Sequence, residues 1–167
     1  RMPNAEGRVS GYRYNGLGQR TGIREYMLTG FAPETPFSEY IIACADPVRE
    51  VEYLLDLTRP YHNLLEKSER DEGRASVQTY IWDANTAFLK EGKATHIYLQ
   101  DELGSPVRLI QSGGKRQTLY GYDELGNDRY GNQGELQPFG YTGYQRDSTA
   151  GSYFAQAREY LPGPGRF

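Results

Sequence analysis

One short phrase, a tyrosine, two residues, then aspartate or asparagine, recurs five times in the first 125 residues of this chain and limits what it can fold into. It reads Tyr12-Arg13-Tyr14-Asn15, Tyr53-Leu54-Leu55-Asp56, Tyr80-Ile81-Trp82-Asp83, Tyr98-Leu99-Gln100-Asp101 and Tyr120-Gly121-Tyr122-Asp123. Three copies place a glycine three residues after the acid or amide, at Gly18, Gly104 and Gly126, whereas Asp83 has Thr86 there. The anchors lie 41, 27, 18 and 22 residues apart, an imperfect period near twenty in which 41 fits two units. Repetition at that spacing points to small supersecondary units laid next to one another.

Each unit reads as a hairpin. An aromatic-rich stretch of period two favours a strand, and Asp or Asn followed by glycine supplies the turn. In Tyr98 to Ile110 the acid at 101 can accept from backbone amides, Gly104 can take a positive φ, and Val107 to Ile110 returns as the partner strand. Ser112-Gly113-Gly114-Lys115 marks the next reversal, before Gln117 to Tyr122 extends again. A lone hairpin is marginal in water. The units must therefore lie side by side in one extended, curved sheet, each covering the edge its predecessor leaves.

Composition agrees: 13% of the 167 residues are aromatic, fifteen are tyrosine, and twenty glycines and nine prolines supply turns. This is the signature of many short strands. A net charge of −3 with scattered cations disfavours nucleic-acid binding. No apolar run approaches the roughly 20 residues of a membrane helix. The single cysteine, Cys44, rules out an intrachain disulfide and a cysteine-rich zinc site, and within Ile41-Ile42-Ala43-Cys44 it reads as a small packed hydrophobe. The two histidines, His62 and His96, lack the spacing of a metal site, and no nucleotide, calcium-loop or serine-elbow motif is present. No metal and no cofactor are expected.

Some regions fit the repeat poorly. Pro33, Pro36 and Pro47 interrupt residues 30–47, which read as a longer loop around a short strand at Tyr40 to Cys44. The charged run from Lys67 to Arg74 reads as a solvated hairpin tip. Pro47 to Thr58 has an alternative, an opening helical turn with Val51, Leu54 and Leu55 on one face, but its tyrosine phrase favours a strand.

The last thirty residues are the densest in glycine, aromatic and arginine positions. They carry Pro138-Phe139-Gly140-Tyr141-Thr142-Gly143, then Tyr144-Gln145-Arg146-Asp147, Gly151-Ser152-Tyr153-Phe154, Ala157-Arg158-Glu159-Tyr160 and Gly165-Arg166-Phe167. With the repeats before it, this block resembles the Rhs, or YD-repeat, family, and its end resembles that family's repeat-associated core domain. The resemblance implies an all-β fold in which consecutive hairpin repeats form one curved, spirally wound sheet, part of a hollow shell, with the C-terminal core segment curling inward as closure. It divides the chain into repeats over 1–135 and a core motif over 136–167, cut short at its C-terminal end. Both ends of the chain read as cut from a longer protein.

The same resemblance implies a secreted or surface-exposed bacterial protein whose shell encloses a C-terminal toxin. The partners are then the rest of the shell and that cargo. In members that process themselves, core aspartates are implicated. The matching position is Asp147, with Arg146, Gly151, Arg158, Tyr160, Gly165 and Arg166 as supporting or structural positions.

Carboxylate-driven hydrolysis uses two close acids sharing a proton. The second acid of the family pattern would lie beyond Phe167, and Asp123, Asp128 or Glu135 could replace it only if the fold brought one close. The fragment alone is therefore expected to be inactive, with single-turnover self-cleavage as its upper limit. The plainer reading of Asp147 is a turn acid satisfied by backbone amides, and that of Arg146 and Arg158 is a structural ion pair. A further alternative is a tyrosine-rich module that recognises glycans or neighbouring cells, although core filling accounts better for Tyr141, Tyr144, Tyr153, Phe154 and Tyr160.

Overall fold

The computed structural model describes residues 8–27, 46–59, 63–71, 73–114, 116–132 and 136–167. The expected strand at Tyr40 to Cys44, the thiol of Cys44 and the side chain of His62 lie outside these residues. The fold is all-β. Among the described residues the larger sheet has nine strands in sequence order, β1 (Arg8–Tyr14), β2 (Arg20–Met27), β3 (Arg49–Asp56), β4 (Asn63–Asp71), β5 (Arg74–Trp82), β6 (Thr86–Glu91), β7 (Ala94–Gln100), β8 (Pro106–Gln111) and β9 (Gln117–Leu119). Every neighbouring pair is antiparallel, as consecutive hairpins require.

The anchor residue shapes the turns as its chemistry suggests. Asn15 Oδ1 accepts from the amides of Leu17 and Gln19, Asp101 Oδ1 from Leu103 and Ser105, and Asp123 Oδ1 from Leu125 and Asn127. A short side chain with an oxygen at this reach is needed, so Asp and Asn are interchangeable and Glu is not. Each of these loops then passes through a glycine at positive φ, +78° at Gly18, +83° at Gly104 and +85° at Gly126. At Asp83 the turn is tighter. The Asp83 amide donates to the Asn85 carbonyl, and Thr86, buried, already opens β6.

Four copies also share a feature with no sequence signal. The strand register shifts at Arg13/Tyr14, Leu54/Leu55, Ile81/Trp82 and Leu99/Gln100, in each case immediately ahead of the anchor pair. The added residue lies on the strand that returns from the anchor loop, at Thr21, Leu65, Ala87 and Val107, and bends that strand while the tyrosine upstream stays in register. The tyrosines Tyr80, Tyr98 and Tyr120 consequently point to one face, where they join Leu64, Leu89, Leu109 and Phe139 in the core. Among the described residues the other face has no cover: along β7, His96 and Tyr98 are buried while Ile97 and Leu99 are 40% and 44% exposed.

At Pro47 to Thr58 the favoured strand forms and the helical alternative is not adopted: β3 is paired on both sides, which leaves Val51 fully buried. Two local expectations need correction. Lys67 to Asp71 belong to β4 rather than to a hairpin tip, which narrows to Asp71–Arg74, because Glu69 is paired with Arg49 and Lys67 and the charges stabilise one another along the strands. After the Gly113-Gly114 reversal the strand ends at Leu119, and only an isolated bridge between Tyr122 and Asp128 continues it.

Asp101→Ala is expected to lower stability by about 1–3 kcal/mol in urea unfolding, since two amides lose an ionised acceptor, and Asp101→Asn by much less. Burial lowers the pKa of His96, against a smaller upward pull from Glu91. The unfolded chain then takes up this proton first, so stability is full above an unfolded-state value of about 6.5 and declines as pH falls toward the folded-state value. His96→Gln should reduce the loss of thermal midpoint between neutral and mildly acidic pH.

Candidate functional site

Residues 136–139 lie on the tyrosine face, held there by hydrogen bonds from repeat side chains. Gln78 Nε2 donates to the Leu136 carbonyl at 2.8 Å, and Tyr98 Oη donates to Gln137 Oε1 at 3.2 Å. Gln137, 1% exposed, uses its amide on its own chain, accepting from the Phe139 amide and donating to the Phe139 carbonyl. This fixes the ring of Phe139. It meets Tyr80, Trp82 and Tyr98 edge-on, with centroids 5.2, 5.4 and 6.2 Å away. Such pairs add about 0.5–1.5 kcal/mol each to the burial itself. The repeat tyrosines thus form a socket for one residue of the closing segment. Burial pushes the phenols of Tyr80 and Tyr98 well above their ordinary range and that of Tyr53 up to about 12. The socket therefore stays neutral at physiological pH.

The segment next rests on the last two anchor loops. The Thr142 amide donates to Ser105 Oγ at 3.0 Å, in the Asp101 loop. On the Asp123 loop, Tyr141, Tyr160 and Tyr153 donate their hydroxyls to the carbonyls of Glu124, Leu125 and Gly126, at 3.1, 2.9 and 2.7 Å. Two glycines permit this approach. A Cβ on Gly126 would lie 2.6 Å from the Tyr141 ring, and one on Gly140 would lie 2.3 Å from the ring of fully buried Tyr153. Gly165 meets Leu125 in the same way, at 2.8 Å. Gly151, by contrast, faces open space and serves the turn through its positive φ of +67°.

Beyond that contact lies a second sheet of three antiparallel strands, β10 (Gln145–Asp147), β11 (Ser152–Ala155) and β12 (Arg158–Tyr160). Asp147 ends β10 and is 3% exposed. Its Oδ1 accepts from the amides of Thr149 and Ala150, at 3.1 and 2.9 Å, much as the repeat anchors do. Its Oδ2 accepts from Tyr12 Oη at 2.6 Å and from Arg20 Nη1 at 3.4 Å. Arg20 is itself buried, its guanidinium 3.8 Å from the centroid of the Phe154 ring, and Nη1 also lies 3.5 Å from Glu159 Oε1. Glu159 in turn accepts from Ser152 Oγ at 2.7 Å. Residues 12, 20, 147, 154 and 159 form one cluster joining the first described hairpin to the closing sheet.

Of the residues picked out in the sequence, Asp147 and the repeat tyrosine Tyr12 reach this cluster and the supporting arginines do not. Arg146 and Arg158 lie over the rings of Tyr153 and Phe167, at 5.3 and 4.2 Å, instead of forming the expected ion pair. Arg166 is exposed and acts through its backbone, which pairs with Leu161. Asp123 and Asp128 are engaged in their own turns, and Glu135 lies outside the described residues. Among the described residues no second carboxylate hydrogen-bonds to Asp147. Nor do three or more His, Cys, Asp or Glu gather there as a metal site would need.

No family model matches the chain. No curated protein matches it either. The crystal structure of TcdB2-TccC3 aligns with 93% of the chain at a TM-score of 0.58 and 16% identity. TcdB2-TccC3 shares this fold. The crystal structure of TcdB2-TccC3-TEV aligns with 99% of the chain at a TM-score of 0.56 and 17% identity. The chain spans 7% and 8% of the length of these two structures.

Arg20→Met is expected to lower stability by about 3–5 kcal/mol, because it leaves the Asp147 carboxylate buried without its cation. Urea unfolding reads this directly. A loss below about 1 kcal/mol would mean that Tyr12 and the two amides suffice.

Proposed function

We propose that the chain is a segment of a secreted bacterial Rhs/YD-repeat toxin protein, with hairpin repeats over 1–135 and a repeat-associated core motif over 136–167. Its work is to build a β-shell and close it around a C-terminal cargo domain. The observation that carries this reading is the docking of the closing segment on the repeats: Phe139 in the tyrosine socket, and three tyrosine hydroxyls on three consecutive carbonyls. A module that only displayed its tyrosines for glycan recognition would leave these hydroxyls and rings free. The fold shared with TcdB2-TccC3 agrees with a piece of a much longer sheet.

A second reading, single-turnover release of the cargo through Asp147, is favoured by one observation: a carboxylate 3% exposed, held beside a buried guanidinium and a phenol. It requires another acid to reach Asp147, so residues 1–167 alone are expected not to hydrolyse peptide bonds.

One experiment serves both readings: limited proteolysis and intact mass of the full-length chain carrying a domain after Phe167. Phe139→Ala should expose that domain to added protease, and an unchanged digestion pattern would sink the closure reading. Spontaneous cutting that disappears in Asp147→Asn would support self-release, and equal cutting in both would remove Asp147 from it.

A further inference from the structure

The face of the large sheet turned away from the tyrosines divides into two halves of different chemistry. On β1 to β4 its charges pair with one another, Arg13 with Glu52 at 2.9 Å, Arg24 with Glu50 at 2.7 Å and Arg70 with Glu50 at 3.6 Å. On β5 to β8 a row of apolar side chains runs across the strands instead: Ile81 stands opposite Phe88, Phe88 opposite Ile97, and Ile97 opposite Ile110. Ile81, Phe88 and Ile97 are 41%, 37% and 40% exposed. At the spacing of neighbouring strands the row is about 14 Å long.

One cation stands on each side of it. Lys90 lies between Thr79 and Thr95 in the row on one flank, and Arg108 lies between Leu99 and Leu119 in the row on the other. Both are exposed. Among the described residues neither has an ion-pair partner, in contrast to the arginines of the first half. Over β5 to β9 these three rows hold no aspartate or glutamate.

We infer that this face docks an amphipathic helix of a partner protein, its apolar stripe on Ile81, Phe88, Ile97 and Ile110 and its flanking carboxylates on Lys90 and Arg108. The strands β5 to β8 are paired on both sides, so their backbone groups are spent and the face offers side chains only. A segment lying on it must satisfy its own backbone, which a helix does and an extended strand does not. About ten helical residues span the row, and a helix is a standard second layer on a sheet. Two other occupants fit less well. A second copy meeting this face with its own adds two cations and no carboxylate to match them, and among the described residues the chain has no α-helix to offer. An anionic lipid surface would extend past the rows onto Glu66, opposite Thr79, and onto Glu52, whose side chain is 63% exposed. The face lies opposite the one that residues 136–139 cover, so the inference goes beyond shell closure and does not rest on it.

The probes are two labelled helical peptides, identical in a leucine stripe and differing only in its flanks, glutamate in one and lysine in the other. Fluorescence anisotropy with the full chain should show saturable binding of the glutamate peptide, at least tenfold tighter than the lysine peptide. Lys90→Glu/Arg108→Glu, which keeps the apolar row intact, should reverse that preference, and Phe88→Gln/Ile97→Gln should weaken both peptides at least tenfold. The thermal midpoint of each variant serves as the control for folding. No saturable binding of the glutamate peptide, or a preference that the charge reversal leaves unmoved, would overturn the inference. So would tighter binding to phosphatidylserine vesicles than to the peptide, or self-association in sedimentation that Phe88→Gln/Ile97→Gln abolishes.

Discussion

A sheet one layer thick that points a tyrosine inward from successive hairpins has an apolar face that nothing within the sheet can cover. The rest of the structure depends on that constraint. Burying Tyr80, Tyr98 and Tyr120 needs a second layer, and the chain supplies it from its own C-terminal end. Phe139 fills the space among the rings, and Gln137 satisfies the polar atoms that its insertion would strand. Truncating a buried phenylalanine costs about 3–5 kcal/mol in general, a large share of the stability of an ordinary domain. The hairpins set up the face, and the closing segment makes it stable.

The second tie is electrostatic and spans the chain. Asp147 meets Tyr12 and Arg20 across sequence separations of 135 and 127 residues. Its other oxygen closes a local turn, so a single carboxylate fixes both the shape of the closing strand and its place on the first hairpin. Contacts this distant in sequence form late in folding, because the entropy of closing the loop must be met before they contribute. The cluster therefore forms only once the three-stranded sheet has met the first described hairpin. An isolated stretch of repeats would lack both its tyrosine face cover and this tie.

The sequence allowed much of this to be read, for identifiable reasons. Asp101 and Asp123 with their glycines declare their turns because each step is local: a side-chain oxygen, two amides and a positive φ within five residues. The all-β fold follows once those turns repeat. Asp147 was legible as a turn acid by the same logic. Arg20 was not. It opens an ordinary strand, and nothing around it marks it as the cation that two distant carboxylates share. The arginines that did stand out, Arg146 and Arg158, lie on aromatic rings because the closing segment offers rings, rather than acids, at those positions. The register shift beside four of the anchors falls on residues of no common type, Thr21, Leu65, Ala87 and Val107, and was equally invisible. The charged run at Lys67 misled because its Glu69 pairs with Arg49 on the neighbouring strand, a contact that periodicity along one strand cannot express.

The tyrosine hydroxyls that settle on Glu124, Leu125 and Gly126 touch main-chain carbonyls only. Such contacts read the path of a loop and ignore its side chains, apart from the glycine that lets the Tyr141 ring approach. The segment over 136–167 in this sense recognises the course of the Asp123 loop rather than its sequence. Any terminal hairpin that keeps the anchor, the glycine and the loop between them presents the same three oxygens. The side chains of that hairpin can then vary without redesign of the segment that rests on it.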